Sequence, residues 1–151
     1  MNEIFVAYES EIDKLEETLG HLRQDANARA VFLFDLSGQQ LAAAGEIEPI
    51  DTTALASLTA GNVEGTERLA KLIGEREFSV LFYEGNRDHI HISIAADRAI
   101  LVVIFDERSS LGLVRLRVKR VASEFERIFQ AIPETLMARV TDENIEAFFS
   151  E

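Results

Sequence analysis

His89 and His91 stand two apart in "NRDHIHISIAA". On a strand that spacing turns both imidazoles to one face, where two ring nitrogens could share a metal ion. No third ligand completes the pattern: the chain has no cysteine, and the remaining histidine, His21, falls in another element. The expectation is ordinary surface histidines and no metal site. Ser109 and Ser110 precede a helical pattern with no identifiable base beside them, so capping is their plain role and nucleophilic chemistry is not indicated. The chain contains neither G-x-x-x-x-G-K-[ST] nor G-x-G-x-x-G, and so is not expected to bind a nucleotide itself. Asp35, Asp97 and Asp106 fall at strand ends, where turn and cap roles are the default. Nothing in the inventory calls for catalysis or a cofactor, which leaves action on another molecule by contact.

The composition narrows what that molecule can be. The chain has 151 residues, 47% of them hydrophobic, enough for one domain with a real core. Its formal net charge is -12, which repels phosphate backbones and anionic head groups, so nucleic acid and membrane are poor partners. The opening "MNEIFVAYESEID" has neither a basic region nor an apolar run, and no segment reaches the roughly 18 apolar residues of a membrane span. The absence of cysteine fits a reducing compartment. A cytoplasmic protein without membrane insertion is expected.

The elements alternate regularly. Ile12, Leu15, Leu19 and Leu22 make one stripe of a helix from about Ser10 to Gln24. Arg29 to Asp35, the turn Leu36-Ser37-Gly38 and a weaker strand ending at Gly45 read as a hairpin. A second helix follows, capped by Asp51 or Thr52 and closed by Gly74. Phe78 to Glu84, His89 to Ala95 and Ala99 to Asp106, separated by "GNRD" and "AADR", read as a three-stranded meander. Val114, Val118, Val121, Phe125, Ile128 and Ile132 keep helical spacing in a third helix, with Ser109 or Ser110 as cap and Pro133 as terminator. The strand connections are too short for parallel crossovers. The reading is an α+β domain: a five-stranded antiparallel sheet with helices on its faces, in the order helix, two strands, helix, three strands, helix.

The second helix has an unusual middle. In "ALASLTAGNVEGTERLAKLIG", Ser57, Gly61 and Gly65 are spaced by four and form a ridge almost without side chains, beside Ala56 and Ala60. Two interior glycines cost about 1 kcal/mol each relative to alanine, so some contact should offset them. Leu55, Leu58, Leu69 and Leu72 are expected to anchor the two ends to the sheet and leave the middle for a partner. The alternative is a ridge pressed against the chain's own sheet.

The motifs "IDTTALASLTAGN" and "VVIFDERSSLGLVRLR", at their separation, resemble bacterial MglB proteins of the Roadblock/dynein light chain 7 family, and the likeness covers nearly the whole chain, including the ending "FFSE". The resemblance implies a homodimer in which the second helix lies against its twin and the third strand pairs edge to edge. The dimer residues would be Ala56, Ala60, Gly61, Phe78, Val80 and Phe82. Edge pairing would also occupy the apolar run Phe78 to Tyr83, which is hazardous as an open edge; the alternative is a buried central strand.

The resemblance further implies a partner, a small Ras-like GTPase of the MglA type in its GTP state, and a role as its GTPase-activating protein in cell polarity and gliding motility, with enrichment at a cell pole. The contact residues would be Ser57, Thr59, Ala60, Gly61, Asn62, Glu64, Gly65 and Arg68. Such a regulator is not itself an enzyme. In the family pattern it works without an inserted arginine, although Arg87, Arg98 and Arg108 sit in turns and an arginine finger can supply about 10³ to 10⁵ in rate. The second function class is a non-catalytic dimeric scaffold that holds a GTPase or polarity complex without accelerating hydrolysis. Glu64 and Arg68 depart from the smaller, uncharged residues of relatives, as an i, i+4 pair on a solvated face or as a change of partner specificity.

Two features remain. Arg115, Arg117, Lys119 and Arg120 form a basic cluster in an acidic chain, either a solvated face or an acceptor for an acidic segment. The organisation read from the sequence is a domain at 1–133 and an acidic tail at 134–151. The tail's "VTDENIEAFF" would set Ile145, Phe148 and Phe149 on one side of a short helix, read as a docking element, the alternative being a packed cap.

Overall fold

The computed structural model describes residues 9–76 and 80–133. The element order is that read from the sequence: α1 (Glu9–Asp25), β1 (Ala30–Asp35), β2 (Gln40–Gly45), α2 (Thr52–Leu72), β3 (Val80–Glu84), β4 (His89–Ala95), β5 (Ala99–Phe105) and α3 (Leu111–Gln130). All strand pairs are antiparallel, in the spatial order β2-β1-β5-β4-β3. β3 is therefore an edge strand, not a central one. The C-terminal tail and Phe78 lie outside the described residues.

β1 and β5 are buried along their whole length because helices cover both faces of the sheet. On one face, Leu15, Leu19 and Leu22 of α1 and Val114, Phe125, Ile128 and Phe129 of α3 pack on Val31, Leu33, Leu101, Val103 and Phe105. On the other, α2 lies over Phe32, Phe34, Ile92, Ile100, Val102 and Ile104. Alternation along the strands divides each sequence run between the two cores.

The helix ends are fixed by the expected chemistry. The Asp51 side chain accepts a hydrogen bond from the Ala54 backbone N–H at 3.1 Å, and Ser110 accepts one from Leu113 at 3.2 Å. At the end of α2, Gly74 takes a φ of +81°, and the Gly74 and Glu75 N–H groups donate to the Lys71 and Ala70 carbonyls, a Schellman closure. Asp35 closes the β1–β2 turn by accepting from the Ser37 N–H, the Ser37 hydroxyl and the Gln39 N–H. At the same end of the sheet, Arg98 in the β4–β5 turn binds the sheet to α3: it donates to the Phe129 and Ile132 carbonyls and lies 5.3 Å from the Phe129 ring centroid.

The turn at Gly38 sets the position of α2. Its φ is +94°, and a Cβ there would stand 3.2 Å from the Ala56 carbonyl oxygen and 3.3 Å from the Ala60 Cβ. The β1–β2 turn thus touches the helix directly through two small residues.

His91 corrects the expectation of two surface histidines. It is 1% exposed on β4, opposite Val103 on the face covered by α1 and α3, and neither ring nitrogen has a hydrogen-bond partner among the described residues. His89 is half-buried, with its ring centroid 5.2 Å from that of Phe105 and 6.1 Å from that of Phe82. Burial, with a smaller effect from the Arg115 charge, holds the His91 pKa below its usual value. The described residues contain no group of three or more candidate ligands able to hold a metal ion.

The packing sets opposite expectations for two glycines. Gly38→Val should lower the unfolding free energy by about 3 kcal/mol in urea titrations, combining the left-handed backbone with overpacking against α2. Gly20→Ala, inside α1 with no atom beyond its chain neighbours and the helix's own backbone within 4 Å of the added carbon, should instead gain up to about 1 kcal/mol.

For His91, the folded pKa lies below the unfolded one, so the unfolded chain takes up the proton first as pH falls. Stability is then fully present above the unfolded pKa and is lost as pH drops through about 6.5, by at most about 1.4 kcal/mol per pH unit. His91→Leu should flatten this part of the stability–pH curve, measured by urea melts between pH 7.5 and 5.5.

Candidate functional site

Because α2 packs through small residues, its rotation about its own axis decides what the molecule offers. Ala56, Thr59 and Ala70 face the sheet and are buried, with Leu55, Ala60 and Val63 half-buried beside them. Ser57, Gly61 and Gly65 lie on the opposite side and are exposed. No atom beyond the helix's own backbone lies within 4 Å of where a Cβ on Gly61 or Gly65 would sit. The bare ridge is therefore not pressed against the chain's own sheet.

The leucines behave differently from the sequence expectation. Of the four expected to anchor the helix, only Leu55 packs inward; Leu58, Leu69 and Leu72 expose 68%, 55% and 82% of their surface, and Ile73 64%. The volume beneath α2 is filled from the sheet side, where Phe32 and Phe34 stack at 5.7 Å. That leaves room on the helix for alanine and threonine rather than leucine. The outward face is consequently a seam of glycine with leucine at both ends, an apolar surface of the kind that marks contact with another molecule.

The polar residues of the helix divide in the same way. Asn62, Glu64 and Arg68 are exposed, and Glu64 accepts from Arg68 at 3.2 Å as an i, i+4 ion pair. Both side chains are well exposed, so the pair is worth about 0.3 to 0.5 kcal/mol. Thr59 is 3% exposed and Ala56 2%, both turned into the core. These two positions are removed from the surface set: Thr59 from the contacts expected for a GTPase, and Ala56 from those expected for a dimer. Ala60 is half-buried, against the Gly38 turn.

β3 presents a second feature of the same surface class. Its backbone pairs with β4 on one side only, and Phe82 and Tyr83 are 36% and 42% exposed. Val80 is half-buried. The Phe82 ring lies 6.2 Å from Phe105, on the α1 and α3 side of the sheet. An apolar, unpaired edge of this kind is a template for another strand.

The three turn arginines have separate fates. Arg98 is tied into the end of α3, as described above. Arg108 is held by Asp106 at 3.0 Å and lies 3.8 Å from Glu46. That pairing keeps the Asp106 carboxyl below its usual pKa range. Arg87 is exposed in the β3–β4 turn.

Sequence reading missed the network to which Arg108 belongs. Arg29 pairs with Glu46 at 2.9 Å and Asp88 at 3.0 Å, so two arginines and three carboxylates join the strand ends at one end of the sheet. Asp106 and Arg108 are close in the chain, but Arg29, Glu46 and Asp88 are far from them and from one another, and only the strand order brings these together.

Comparison with known proteins agrees with this architecture. The model of the Roadblock/LC7 domain matches residues 14–105. The structure of Myxococcus xanthus MglB has a TM-score of 0.77 and 50% sequence identity, covering 81% of this chain and 92% of that one. The gliding protein MglB from Thermus thermophilus has a TM-score of 0.75 and 33% identity, over 80% of this chain and 92% of that one. An MglB described as having a tetrameric arrangement gives a TM-score of 0.70 and 34% identity, over 87% and 93%. No curated protein matches the chain. No helix of the described residues is long and apolar enough to cross a membrane. With the domain model spanning more than half of the sequence and half of the aligned residues shared with the Myxococcus protein, the chain belongs to the Roadblock/LC7 domain family.

Proposed function

We propose that this chain is a regulator of a small Ras-like GTPase of the MglA type, a GTPase-activating protein that works as a homodimer in cell polarity and gliding motility. The observation that carries the reading is the outward seam of α2, where Gly61 and Gly65 face open space between exposed leucines. Two such helices can approach closely across a twofold axis, and pairing of the β3 edges would continue the sheet from one chain to the next. That arrangement would cover the exposed apolar residues and offset the two glycines.

On this platform the GTPase contacts are Ser57, the half-buried Ala60, Gly61, Asn62, Glu64, Gly65 and Arg68, with Ile145, Phe148 and Phe149 of the tail as a further docking element. Phe78, next to β3, belongs to the dimer set by its place in the sequence. The platform would act by holding the switch segments of the GTPase so that its own residues are positioned, which needs a shaped surface and no catalytic group. The ties that hold Arg98 and Arg108 favour this over an arginine finger, and leave Arg87 as the remaining turn candidate. The second reading, a scaffold that binds the GTPase without changing hydrolysis, uses the same surface. The exposed Glu64–Arg68 pair, unusual for such a platform, favours keeping it in view.

Single-turnover phosphate release from the GTPase, with and without excess protein, separates the two. Faster release is the expected result; an unchanged rate with confirmed GTP-dependent binding would leave the scaffold. Arg87→Ala should leave the accelerated rate within about twofold, whereas loss of the 10³ to 10⁵ typical of an arginine finger would reverse the mechanism. Gly61→Arg should preserve helicity by circular dichroism, since nothing crowds that position, yet shift the chain toward monomer in sedimentation and weaken GTPase binding at least about tenfold, a loss of roughly 1.4 kcal/mol.

A further inference from the structure

The outer face of α3 carries charge that the described residues leave unused. Arg115, Arg117, Lys119 and Arg120 fall within six residues, and no acidic residue occurs between Leu111 and Ser123. Arg115, Lys119 and Arg120 are exposed, and Leu116, 44% exposed, has Lys119 and Arg120 as its i+3 and i+4 neighbours on the helix surface. The ion pairs found among the described residues use Arg29, Arg68 and Arg108 and none of these four. Arg115 and Lys119 are a like-charge i, i+4 pair, an unfavourable arrangement in isolation. A basic patch around an exposed leucine calls for an acidic, apolar occupant.

The chain itself contains such a segment. From Thr141 onward, "TDENIEAFFSE" carries Asp142, Glu143, Glu146 and Glu151, no basic residue, and the apolar Ile145, Phe148 and Phe149. It follows Pro133, directly beyond the C-terminal end of α3. Arg115 to Gln130, the last residue of α3, spans 15 residue steps, about 23 Å at the helical rise. The eight residues 134–141 extend to about 26 Å at ~3.3 Å each. The connection is just long enough to return the acidic stretch to the level of Arg115 and Lys119.

We propose that residues 142–151 dock in cis on the outer face of α3, with Asp142, Glu143 and Glu146 against Arg115, Lys119 and Arg120, and with Ile145, Phe148 and Phe149 over Leu116. A short tether sets an effective concentration on the order of millimolar, so a contact too weak to form between separate molecules is populated within one. The consequence is regulatory. A tail held on α3 is withheld from other partners until one competes it away, whatever that partner is.

The lack of cysteine makes the test direct, because a spin label on Ser150→Cys is the sole labelled site in the full chain. Paramagnetic broadening should remove more than half of the amide signal intensity of residues 112–123 at low salt. Arg115→Glu/Lys119→Glu/Arg120→Glu should restore it, as should about 0.5 M salt, where the Debye length falls to about 4 Å. A mixture of spin-labelled chains without isotope and isotope-labelled chains without spin separates cis from trans. Broadening on α3 within one chain supports the proposal. Broadening seen only between chains, centred on another surface or absent altogether overturns it, and the basic face then belongs to an acidic segment of another molecule.

Discussion

The contact between the Gly38 turn and the Ala56–Ala60 stretch of α2 is the constraint on which the surface depends. A helix with small residues on two sides has no strong preference for which side to bury, and here the turn decides. The turn lies so close that a Cβ at Gly38 would stand 3.2 Å from the Ala56 carbonyl oxygen, and α2 sits down on alanine and threonine. Its glycines and leucines are thereby turned outward. Had the leucines been buried instead, the molecule would present a solvated helix and no seam.

That choice has an energetic logic. The sheet face under α2 carries large side chains, including Phe32, Phe34 and several isoleucines, and native packing density then admits only small residues on the helix. On the opposite face large side chains come from both layers, with leucine and phenylalanine of α1 and α3 packing on Val31, Leu33, Leu101, Val103 and Phe105 and on the smaller Ala42 and Ala99. Exposed Leu58, Leu69, Leu72 and Ile73 are unfavourable for a chain that stays alone, and so are two glycines inside a 21-residue helix. Both costs are offset by the same event, contact with a second surface. The free β3 edge beside an exposed Phe82 and Tyr83 gives that contact a direction.

Much of the fold was legible because local chemistry agreed with the global pattern. Asp51 and Ser110 cap where their spacing from the helical runs says they should, Pro133 follows the end of α3, and β4 runs from His89 to Ala95 as alternation indicates. The platform was harder to read. The small ridge was visible as a spacing of four, but which leucines anchor the helix was not, because periodicity counts apolar residues without knowing what volume the sheet has already filled. His91 shows the same limit: its alternating position says only that it shares a face with His89, and the depth of that face depends on α3 lying over it. The Arg29–Glu46–Arg108 network depends on strand order, which no local pattern encodes.

The central claim is that the outward seam of α2 is where the chain meets its partner, and hydrogen–deuterium exchange with the GTPase in its GTP and GDP forms tests it most directly. The account predicts slowed exchange across residues 54–72 with the GTP form and little change with the GDP form. Protection confined to α1, α3 or the β2 edge, with α2 unaltered in both forms, would contradict it.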